Sequence, residues 1–370
     1  MKHKNILISG YYGFANAGDE AMLTAVIDAL RGLTDSPAIS VLSGNPAETA
    51  ARHGVKAIHR FDPVSLFWAA RKADIVLSGG GSLLQDVTSK RSLYYYLGVL
   101  QLAKLLNKPV MLYGQGIGPL RAAMARRLAG FVCRQADVIA VRDKQSLKEL
   151  ALLGVDEKKT FLTADPVMAM HPADKGSGRS ILHEHGVEGG FLAGISAREW
   201  QGAARFKKEL AGAADALVRE YGAKIIFLPL QYPGDLMISK EIASLMAEKD
   251  SATVIEKRCG VNDFLSLVGN MDLLLGIRLH ALIFGALMQV PVIGLSYDPK
   301  IDAFLESIGG QPAGDLARVT AEKIMDEARR AIADKSLAAR RHELLGDLRA
   351  GAMKNAHLAV ELLNGGRQLM

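Results

Sequence analysis

The chain has 370 residues, of which 49% are hydrophobic and 23% are charged, and its formal net charge is +6. This composition is that of a globular protein with enough apolar side chains for two domains of ordinary size. The charge allows an anionic ligand or an anionic membrane surface, but the lack of a dense basic stripe with interleaved aromatic residues argues against nucleic acid as a partner.

Neither Cys133 nor Cys259 has metal-ligand spacing, and so few cysteines in a chain of this length are typical of a reducing cytosol. The N-terminal sequence MKHKNILISGYYG lacks the long apolar core and the small-residue cleavage site of a signal peptide. The most apolar segment, residues 281–295, is shorter than the about 20 residues that a membrane-spanning helix needs. We therefore expect a cytoplasmic protein without a membrane-spanning segment.

The first half of the chain alternates short apolar strands with amphipathic helices, and strands are predicted at residues 5–9, 38–43 and 74–78. After the first strand, the glycine-rich stretch GYYGFANAGDE brings Asn16, Asp19 and a helix N-terminus to the carboxyl end of the strand. Its glycine spacing is not G-x-G-x-x-G, so a dinucleotide site is disfavoured. The alternative for Asp19 is a purely structural acid in the first turn of the helix.

Two more glycine-rich stretches follow buried strands. The stretch GGGSLLQD contains Gly80, Gly81 and Asp86, and the stretch GQGIGP contains Gln115. Three such stretches after three strands predict backbone loops at one edge of a sheet, suited to an anion or to a ligand rich in hydroxyl groups.

A second alternation of strands and helices begins before Arg198, which follows its first strand. Residues 271–300 contain two further buried strands, with Arg278 and His280 after the first and Lys300 after the second. Ligands of open α/β sheets bind at the carboxyl ends of the strands, so these side chains form a candidate site. A lone histidine in an apolar segment is ordinarily a core residue, but the neighbouring cations favour a functional role. The dipole of the following helix also favours proton exchange near neutral pH.

The pattern predicts an α/β protein with two Rossmann-like domains that face each other across a cleft. We expect the domains at residues 1–172 and 173–315, and a helical tail at residues 316–370 that packs back on the first domain. Arg142 ends a strand of the first domain at the same kind of edge. Its alternative role is an ion pair with Asp143 or another loop acid.

The sequence resembles the polysaccharide pyruvyl transferase family, most of all its CsaB-type cell-wall enzymes, up to about residue 308. The stretches that carry the resemblance are GYYGFANAGDEAML, LSGGGSLLQD, GQGIGPL, AVRDKQSLKEL, ADPV and especially GIRLHALIFGALMQVPVIGLSYDPK. The resemblance implies a GT-B-like fold and the transfer of a pyruvyl group from phosphoenolpyruvate to two sugar hydroxyls, giving a 4,6-ketal and phosphate. The implied acceptor is N-acetylmannosamine in a lipid-linked precursor of a secondary cell-wall polymer, which would link the enzyme to cell-wall biogenesis and S-layer anchoring.

The resemblance also implies roles for individual residues. His280 falls on the catalytic histidine of the family, and Arg142 and Lys300 fall on residues implicated at the donor. We expect His280 to protonate C3 of phosphoenolpyruvate or to deprotonate a sugar hydroxyl, with Asp19 orienting or deprotonating the acceptor. The expected donor-binding residues are Arg142 of the first domain and Arg278, Lys300 and Arg198 of the second. The expected acceptor-binding residues are Asn16, Gly80, Gly81, Asp86 and Gln115.

Neither a metal nor another cofactor is expected, and phosphoenolpyruvate acts as co-substrate. A peripheral contact with the inner face of the membrane and the oligomeric state stay open. Two other classes of function also stay open. One is a GT-B glycosyltransferase or sugar epimerase that uses a nucleotide sugar, because the same architecture serves those enzymes. The other is a non-catalytic sugar-binding module, which is disfavoured because binding alone does not require a titratable histidine among three cations.

Overall fold

The structure, a computed structural model, describes residues 4–87, 89–200 and 205–365, without the side chains of residues 335–342. The first three and the last five residues of the predicted domains therefore lie outside the described ranges. The chain forms two compact units. The first unit comprises the described residues up to Ala15, Asp19–Met170 and those from Asp347 onward, and the second comprises Asn16–Gly18 and His171–Gly346.

Seven strands in the described part of the first unit form one sheet. They are β1 (Asn5–Ser9), β2 (Ala38–Ser43), β3 (Lys56–His59), β4 (Ile75–Leu84), β5 (Val110–Ile117), β6 (Val138–Val141) and β7 (Thr160–Leu162). All pairs are parallel, and the strand order is β3-β2-β1-β4-β5-β6-β7. The direction of the order reverses between β1 and β4, as in a doubly wound sheet.

Helices cover both faces of this sheet. They include α1 (Ala17–Leu33), α2 (Pro46–His53), α3 (Pro63–Lys72), α4 (Lys90–Leu105), α5 (Ala123–Gln135) and α6 (Lys144–Leu152). Successive side chains of a strand point to opposite faces, so Ile6 and Ile8 of β1 lie on one face and Leu7 on the other. α1 packs on the face of Ile6 and Ile8, while α3, α4 and α5 bury their inner sides on the face of Leu7. Coverage on both faces explains why the strands are apolar throughout.

Two of the three predicted glycine loops are strand instead of loop, which corrects the expectation from sequence. β4 continues through Gly80 and Gly81, and Gly81 pairs with Gln115 of β5. A Cβ atom at Gly80 would lie 2.1 Å from the sulfur of Met22. Gly81 has φ +89°, and the pairing register shifts after it. Glycine occurs here because a side chain packs directly on an extended backbone and because the strand is irregular at one point.

Six strands in the described part of the second unit form another parallel sheet. They are β8 (Leu192–Ser196), β9 (Lys224–Phe227), β10 (Ala252–Val254), β11 (Leu273–Gly276), β12 (Val292–Ser296) and β13 (Gly314–Asp315), in the order β10-β9-β8-β11-β12-β13. The accompanying helices are α7 (Gly176–Glu184), α8 (Arg205–Tyr221), α9 (Gly234–Leu245), α10 (Val261–Gly269), α11 (Leu279–Leu287), α12 (Pro299–Ser307) and α13 (Ala321–Ala333). α8 and α9 pack with β8 and β11 in one hydrophobic core.

The C-terminal helices are divided between the two units, and the division at Asp347 falls within the last helix. The last helix, α14 (Lys335–Leu363), places Ala356 and Ala359 in the core of the first unit, as the sequence predicts. α13 instead belongs to the second unit, because Ile324 and Ala328 are buried in the core that contains α8. No helix in the described ranges combines the length and the apolar character that crossing a membrane requires.

Candidate functional site

Polar and charged side chains follow four neighbouring strands of the second unit at their carboxyl ends. The strands β9, β8, β11 and β12 lie side by side in that order. Gln231 follows β9, Arg198 follows β8, Arg278 and His280 follow β11, and Tyr297 and Lys300 follow β12. The structure thus brings the four predicted residues of this domain to one edge of one sheet, where α/β proteins bind ligands.

His280 is the second residue of α11, at the N-terminal end of the helix. Its imidazole lies against the backbone of Gly18, since a Cβ atom at position 18 would be 2.3 Å from Nδ1 and 2.6 Å from Cγ. Only glycine leaves room for the ring there. The imidazole thus lies at the N-terminal end of α11, and its role in proton transfer stays a prediction.

The segment Asn16–Gly18 is held in the second unit by hydrogen bonds. The backbone N–H of Ala17 donates to the carbonyl oxygen of Leu230 at 2.9 Å, and Asn16 forms an antiparallel bridge with Gln231. Oδ1 of Asn16 accepts from the N–H of Gly18 at 3.0 Å. Asn16 therefore fixes the backbone on which His280 lies, and its contact with an acceptor stays a prediction.

Arg278 is held in a buried ion pair. Its Nε donates to Oδ2 of Asp235 at 2.9 Å, and its Nη2 donates to Oδ1 of the same carboxylate and to Oε1 of Gln231. Asp235 also accepts from the backbone N–H groups of Leu230 and Gln231. Arg278 thus ties the turn after β9 to the start of the helix that carries His280. Its predicted contact with the donor stays a prediction.

Arg198 and Lys300 meet at the ring of Tyr297. Nη1 of Arg198 donates to the Tyr297 hydroxyl at 2.6 Å, and its guanidinium carbon is 4.9 Å from the ring centroid. Nζ of Lys300 is 5.5 Å from the same centroid and 3.0 Å from the carboxylate of Asp298. Within the described part of the chain, Arg198 forms no ion pair, and its Nε is buried without a hydrogen-bond partner. Its charge is therefore not neutralised by a carboxylate of the described residues, and its contact with the donor stays a prediction.

A second buried polar atom at this edge has no hydrogen-bond partner in the described part of the chain. Oγ of Ser196, the last residue of β8, accepts and donates no hydrogen bond among the described residues. Ser196 lies beside Gly276 of β11 in the sheet register. Buried polar atoms are normally paired, so Ser196 and Arg198 are candidates for hydrogen bonds to a polar ligand at this edge.

In the first unit, the side chain of Arg142 is only 6% exposed and is engaged with its neighbours. Its Nη1 donates to Oδ2 of Asp165 at 2.7 Å, and its Nη2 donates to Oγ of Ser82 at 2.9 Å. The carboxylate of Asp143 is 3.8 Å from Nε. These are the ion pairs that the sequence leaves open as the structural alternative. A role of Arg142 at the donor stays a prediction.

Gln115 lies fully buried on β5, and neither atom of its amide has a hydrogen-bond partner among the described residues. A Cβ atom on its strand neighbour Gly81 would lie 3.8 Å from Oδ1 of Asp19. Asp19, Gly81 and Gln115 are thus close together at the carboxyl ends of β4 and β5. Because a buried amide without a partner is costly, the amide of Gln115 is a second candidate for hydrogen bonds to a polar ligand, and its contact with an acceptor stays a prediction.

Asp86 has a structural task that the sequence does not signal. Its Oδ1 accepts from the backbone N–H of Arg121 at 2.8 Å, and its Oδ2 from that of Ala122 at 2.7 Å, just before α5. Burial alone would raise the pKa of Asp86, but these backbone donors outweigh burial and hold the pKa below its ordinary value. A sugar hydroxyl would have to share oxygens that already hold the start of a helix.

The glycine-rich stretch after β1 is fixed by a buried carboxylate. Oε1 of Glu20 accepts from the backbone N–H of Gly13 at 2.9 Å, and Oε2 lies 3.1 Å from Nε2 of His53. Burial would raise the pKa of Glu20, but His53, Gly13 and Arg52 outweigh burial and lower the pKa. The stretch that leads to Asn16 and Asp19 is therefore anchored by charge.

Arg60, which follows β3, is a candidate that the sequence analysis missed. It is buried, and four aromatic rings lie within 5.4 Å of its guanidinium carbon, those of Phe14, Phe61, Tyr95 and Tyr96. Nε has no hydrogen-bond partner, and Arg60 forms no ion pair with any carboxylate in the described ranges. The sequence signal that could have found Arg60 is a charged residue directly after a strand. The aromatic rings around it could not be predicted, because they come from separate segments of the chain.

The cysteines are unsuited to nucleophilic chemistry. Burial raises the pKa of Cys133 to about 12 and that of Cys259 to about 11. At neutral pH both therefore remain thiols, which are poor nucleophiles. Across the described residues, no cluster of three or more His, Cys, Asp or Glu side chains has the geometry to hold a metal ion.

Sequence comparison gives a match to one family. The model of the family described as "Polysaccharide pyruvyl transferase" matches residues 16–299. The amylovoran biosynthesis protein AmsJ of Erwinia amylovora is 21% identical over 254 residues. That match covers 65% of this chain, and the chain spans only 60% of the length of this relative.

Solved structures with the same fold come from sugar-modifying enzymes. The UDP-GlcNAc 2-epimerase of Methanocaldococcus jannaschii is 15% identical, with a TM-score of 0.68 over 96% of this chain and 99% of that one. The UDP-GlcNAc 2-epimerase of Neisseria meningitidis is 13% identical, with a TM-score of 0.68 over 98% and 100%. A glycosyltransferase of Rickettsia africae is 13% identical, with a TM-score of 0.67 over 99% and 100%. These likenesses confirm the predicted GT-B-like class, with two Rossmann-like domains, and they show the fold alone.

Proposed function

The chain belongs to the polysaccharide pyruvyl transferase family, and we propose that it transfers the pyruvyl group of phosphoenolpyruvate to two hydroxyls of a sugar. The proposed product is a 4,6-ketal, with phosphate released. The observation that carries this proposal is the family match over residues 16–299, which includes His280 and the start of α1.

The charges at the edge of the second unit support phosphoenolpyruvate as the donor. This substrate carries a carboxylate and a phosphate, which need cationic partners. The guanidinium of Arg198 forms no ion pair with any carboxylate that the structure describes. Arg198 and Lys300 both lie at the ring of Tyr297. We assign these two residues to the donor. Arg278 acts through His280 by holding the start of α11.

The proposed chemistry balances without an oxidant or a reductant. His280 donates a proton to C3 of phosphoenolpyruvate, which becomes a methyl group and leaves C2 electron-poor. A sugar hydroxyl attacks C2 and loses its proton, the bond between C2 and the phosphate oxygen breaks, and the second hydroxyl closes the ketal. One hydroxyl proton restores His280, and the other leaves with the phosphate.

Asp19 is the proposed residue for the acceptor hydroxyl. It lies beside Gly81 and Gln115 at the carboxyl ends of β4 and β5, and the amide of Gln115 is not bonded within the described part of the chain. An amide and a carboxylate suit a polyhydroxylated ligand. The proposed sugar is N-acetylmannosamine of a lipid-linked cell-wall precursor, as in the CsaB-type enzymes.

The test is phosphate release from phosphoenolpyruvate in the presence of an acceptor that contains N-acetylmannosamine. We expect release only when donor and acceptor are both present, together with a mass gain of the acceptor equal to one ketal-linked pyruvate. An acceptor with N-acetylglucosamine serves as the matched control for the sugar. Phosphate release that does not depend on an acceptor, or no release with either sugar, would contradict the proposed reaction.

A nucleotide-sugar enzyme is the second candidate, because solved structures of UDP-GlcNAc 2-epimerases and a glycosyltransferase share the fold over nearly the whole chain. This candidate requires that the protein binds UDP tightly. Calorimetric titration with UDP and with phosphoenolpyruvate separates the two. Heat on addition of UDP but not of phosphoenolpyruvate would favour the second candidate.

A further inference from the structure

One side of the first unit exposes apolar side chains that a globular protein normally buries. On α3, Val64 is 66% exposed and Trp68 is 53% exposed, and Phe67 is exposed as well. These residues are three and four positions apart, so they form one outward stripe of the helix. The inner side of α3 is buried through Ala70, in the core shared with β4.

The neighbouring helices continue this exposed surface. Met124, Leu128 and Phe131 form an outward stripe on α5, with Met124 58% and Phe131 51% exposed, and Tyr94 is exposed on α4. α3, α4 and α5 all bury their inner sides in the same core on one face of the sheet, so their outward stripes lie on the same side of the domain. We call the outer surface of α3, α4 and α5 the three-helix face.

The three-helix face is also strongly basic. α3, α4 and α5 contain eight Lys and Arg residues and no Asp or Glu. The whole chain has 45 basic and 39 acidic residues, so the rest of the chain has 37 basic and 39 acidic residues. The net positive charge of the protein therefore comes from these helices.

Several of these cations are exposed and have no acidic partner among the residues that the structure describes. Arg71, Lys72, Arg91 and Arg127 are exposed and form no ion pair with any carboxylate that the structure describes. Of the remaining four, Lys104 and Arg126 pair with Asp137 and Glu149 outside the face. An exposed surface with apolar side chains between unpaired cations has the composition of helices that lie in the headgroup region of an anionic bilayer.

We propose that the three-helix face docks on the surface of a membrane that contains anionic lipids. The aromatic and aliphatic side chains of α3 and α5 enter the boundary between headgroups and acyl chains, and the long basic side chains reach the lipid phosphates. This inference goes beyond the proposed reaction, because it depends only on the exposure and charge of three helices. A membrane-docked domain would reach an acceptor that is anchored to a lipid.

Two other occupants fit the face less well. A second copy of the chain, docked face to face, would bring two sets of unpaired cations together, which is repulsive. Nucleic acid would pair with the cations but would leave aliphatic side chains such as Val64, Met124 and Leu128 without a matching partner. A membrane satisfies both the charge and the apolar side chains.

Tryptophan fluorescence tests the proposal directly, because the chain has two tryptophans, Trp68 on the face and Trp200 in the second unit. In the variant Trp200→Phe, Trp68 is the sole reporter. We expect vesicles of equal parts phosphatidylcholine and phosphatidylglycerol to shift its emission to shorter wavelength, and brominated lipid to quench it. In the matched variant Trp68→Phe, the emission of Trp200 stays unchanged. No change at Trp68, or equal changes at both residues, overturns the proposal.

Vesicle flotation of charge variants provides the second measurement. Reversal of two face cations, Arg71→Glu with Arg127→Glu, should weaken binding to the anionic vesicles by at least about thirty-fold, since each cation near such a surface contributes roughly one kcal/mol. The matched control, Lys208→Glu with Arg318→Glu, changes the net charge equally in the second unit and should bind like the wild type. Equal loss in both variants overturns the proposal.

A third variant separates a membrane from the other occupants. Trp68→Ser with Phe131→Ser removes apolar contacts, and the control Met237→Ser with Leu245→Ser removes exposed apolar side chains elsewhere. We expect only the first to lose vesicle binding, with unchanged sedimentation and unchanged circular dichroism. A dimer that this variant converts to monomer would assign the face to a second copy. Binding to an oligonucleotide that survives this variant but not charge reversal would assign it to nucleic acid. Either result overturns the membrane proposal.

Discussion

Arg142 in the first unit and Arg198 in the second each follow a strand at the carboxyl edge of a parallel sheet. Arg142 donates hydrogen bonds to Asp165 at 2.7 Å and to Ser82 at 2.9 Å, and its side chain is nearly buried. Arg198 meets the hydroxyl and ring of Tyr297, and among the described residues it forms no ion pair. An arginine that follows a parallel strand is therefore part of an ion pair in the first unit, whereas in the second unit Arg198 is not neutralised by any carboxylate that the structure describes.

The edge of the second unit contains one arginine in an ion pair, Arg278, and one that forms no ion pair among the described residues, Arg198. Arg278 resembles Arg142, because the buried carboxylate of Asp235 accepts two of its hydrogen bonds. His280 follows Arg278 by two residues and lies on the backbone of Gly18. This difference teaches that an arginine after a strand is not by itself a ligand-binding residue, and that the acids within reach decide its role.

The largest effect is expected for His280→Ala. Loss of a proton-transfer residue should lower kcat for phosphate release by about a hundred- to ten-thousand-fold. Affinity for phosphoenolpyruvate should change little, because Arg198 and Lys300 remain. Steady-state kinetics and calorimetric titration measure the two quantities. His183→Ala, at a highly exposed histidine of α7, is the control and should behave like the wild type. Full activity of His280→Ala would remove His280 from the mechanism.

Gly18→Ala should lower kcat by roughly a hundred-fold, since the added Cβ would lie 2.3 Å from Nδ1 of His280 and force the ring away, and small displacements of catalytic groups have effects of this size. The matched control is Gly32→Ala, also in α1, where a Cβ atom meets nothing within 4 Å. It should keep full activity and gain up to about 1 kcal/mol of stability. Equal activity of the two variants would contradict the packing of His280 on Gly18.

The variants Arg278→Ala and Arg198→Ala test most directly whether an arginine in an ion pair and an arginine without one have different roles. Arg278→Ala leaves the buried carboxylate of Asp235 unpaired and should lower the free energy of unfolding by about 3–5 kcal/mol. Arg198→Ala should cost less than about 1 kcal/mol of stability. It should raise KM for phosphoenolpyruvate by about ten-fold or more, through the loss of a charge-assisted hydrogen bond. Urea unfolding and steady-state kinetics measure both. The reverse pattern would exchange the two roles.

The smallest effect is a pH dependence in the first unit. The pKa of Glu20 is lowered in the folded protein, so its contribution to stability is present above its ordinary pKa and is lost as pH falls through the lowered value. Glu20→Gln should cost about 2 kcal/mol at neutral pH, and the difference from wild type should shrink on acidification. Glu343→Gln, at an exposed position of α14, should show no such difference. A constant difference across the acid range would contradict the role of Glu20.

Much of the fold follows from the sequence. The strands β1 and β2 run over the predicted residues 5–9 and 38–43, because an apolar run covered on both faces has few alternative structures. The glycine stretch at Gly80 was predicted as loop and is strand. A glycine can be required either by a turn or by a side chain that packs directly on the backbone, as Met22 does at Gly80. The sequence alone does not distinguish these two reasons.

The site could be predicted only in part. Arg198, Arg278, His280 and Lys300 could be placed at one edge, because parallel strands bring their carboxyl ends together. Their partners could not be predicted, because Asp235 lies 43 residues from Arg278 in sequence and the pair forms only in the folded domain. For the same reason, the sequence did not predict the aromatic rings around Arg60. It also did not predict the basic three-helix face, because that surface forms only when three helices lie side by side in the folded domain.

The most direct test of the proposed reaction is mass spectrometry of the acceptor after reaction with phosphoenolpyruvate in heavy water. We expect wild-type protein to produce an acceptor with one ketal-linked pyruvate whose methyl group carries one solvent-derived deuterium, because the reaction protonates C3. His280→Ala should yield no such product in the same time. An acceptor without added pyruvate, or a methyl group without deuterium, would contradict the mechanism proposed for His280 and the edge that carries it.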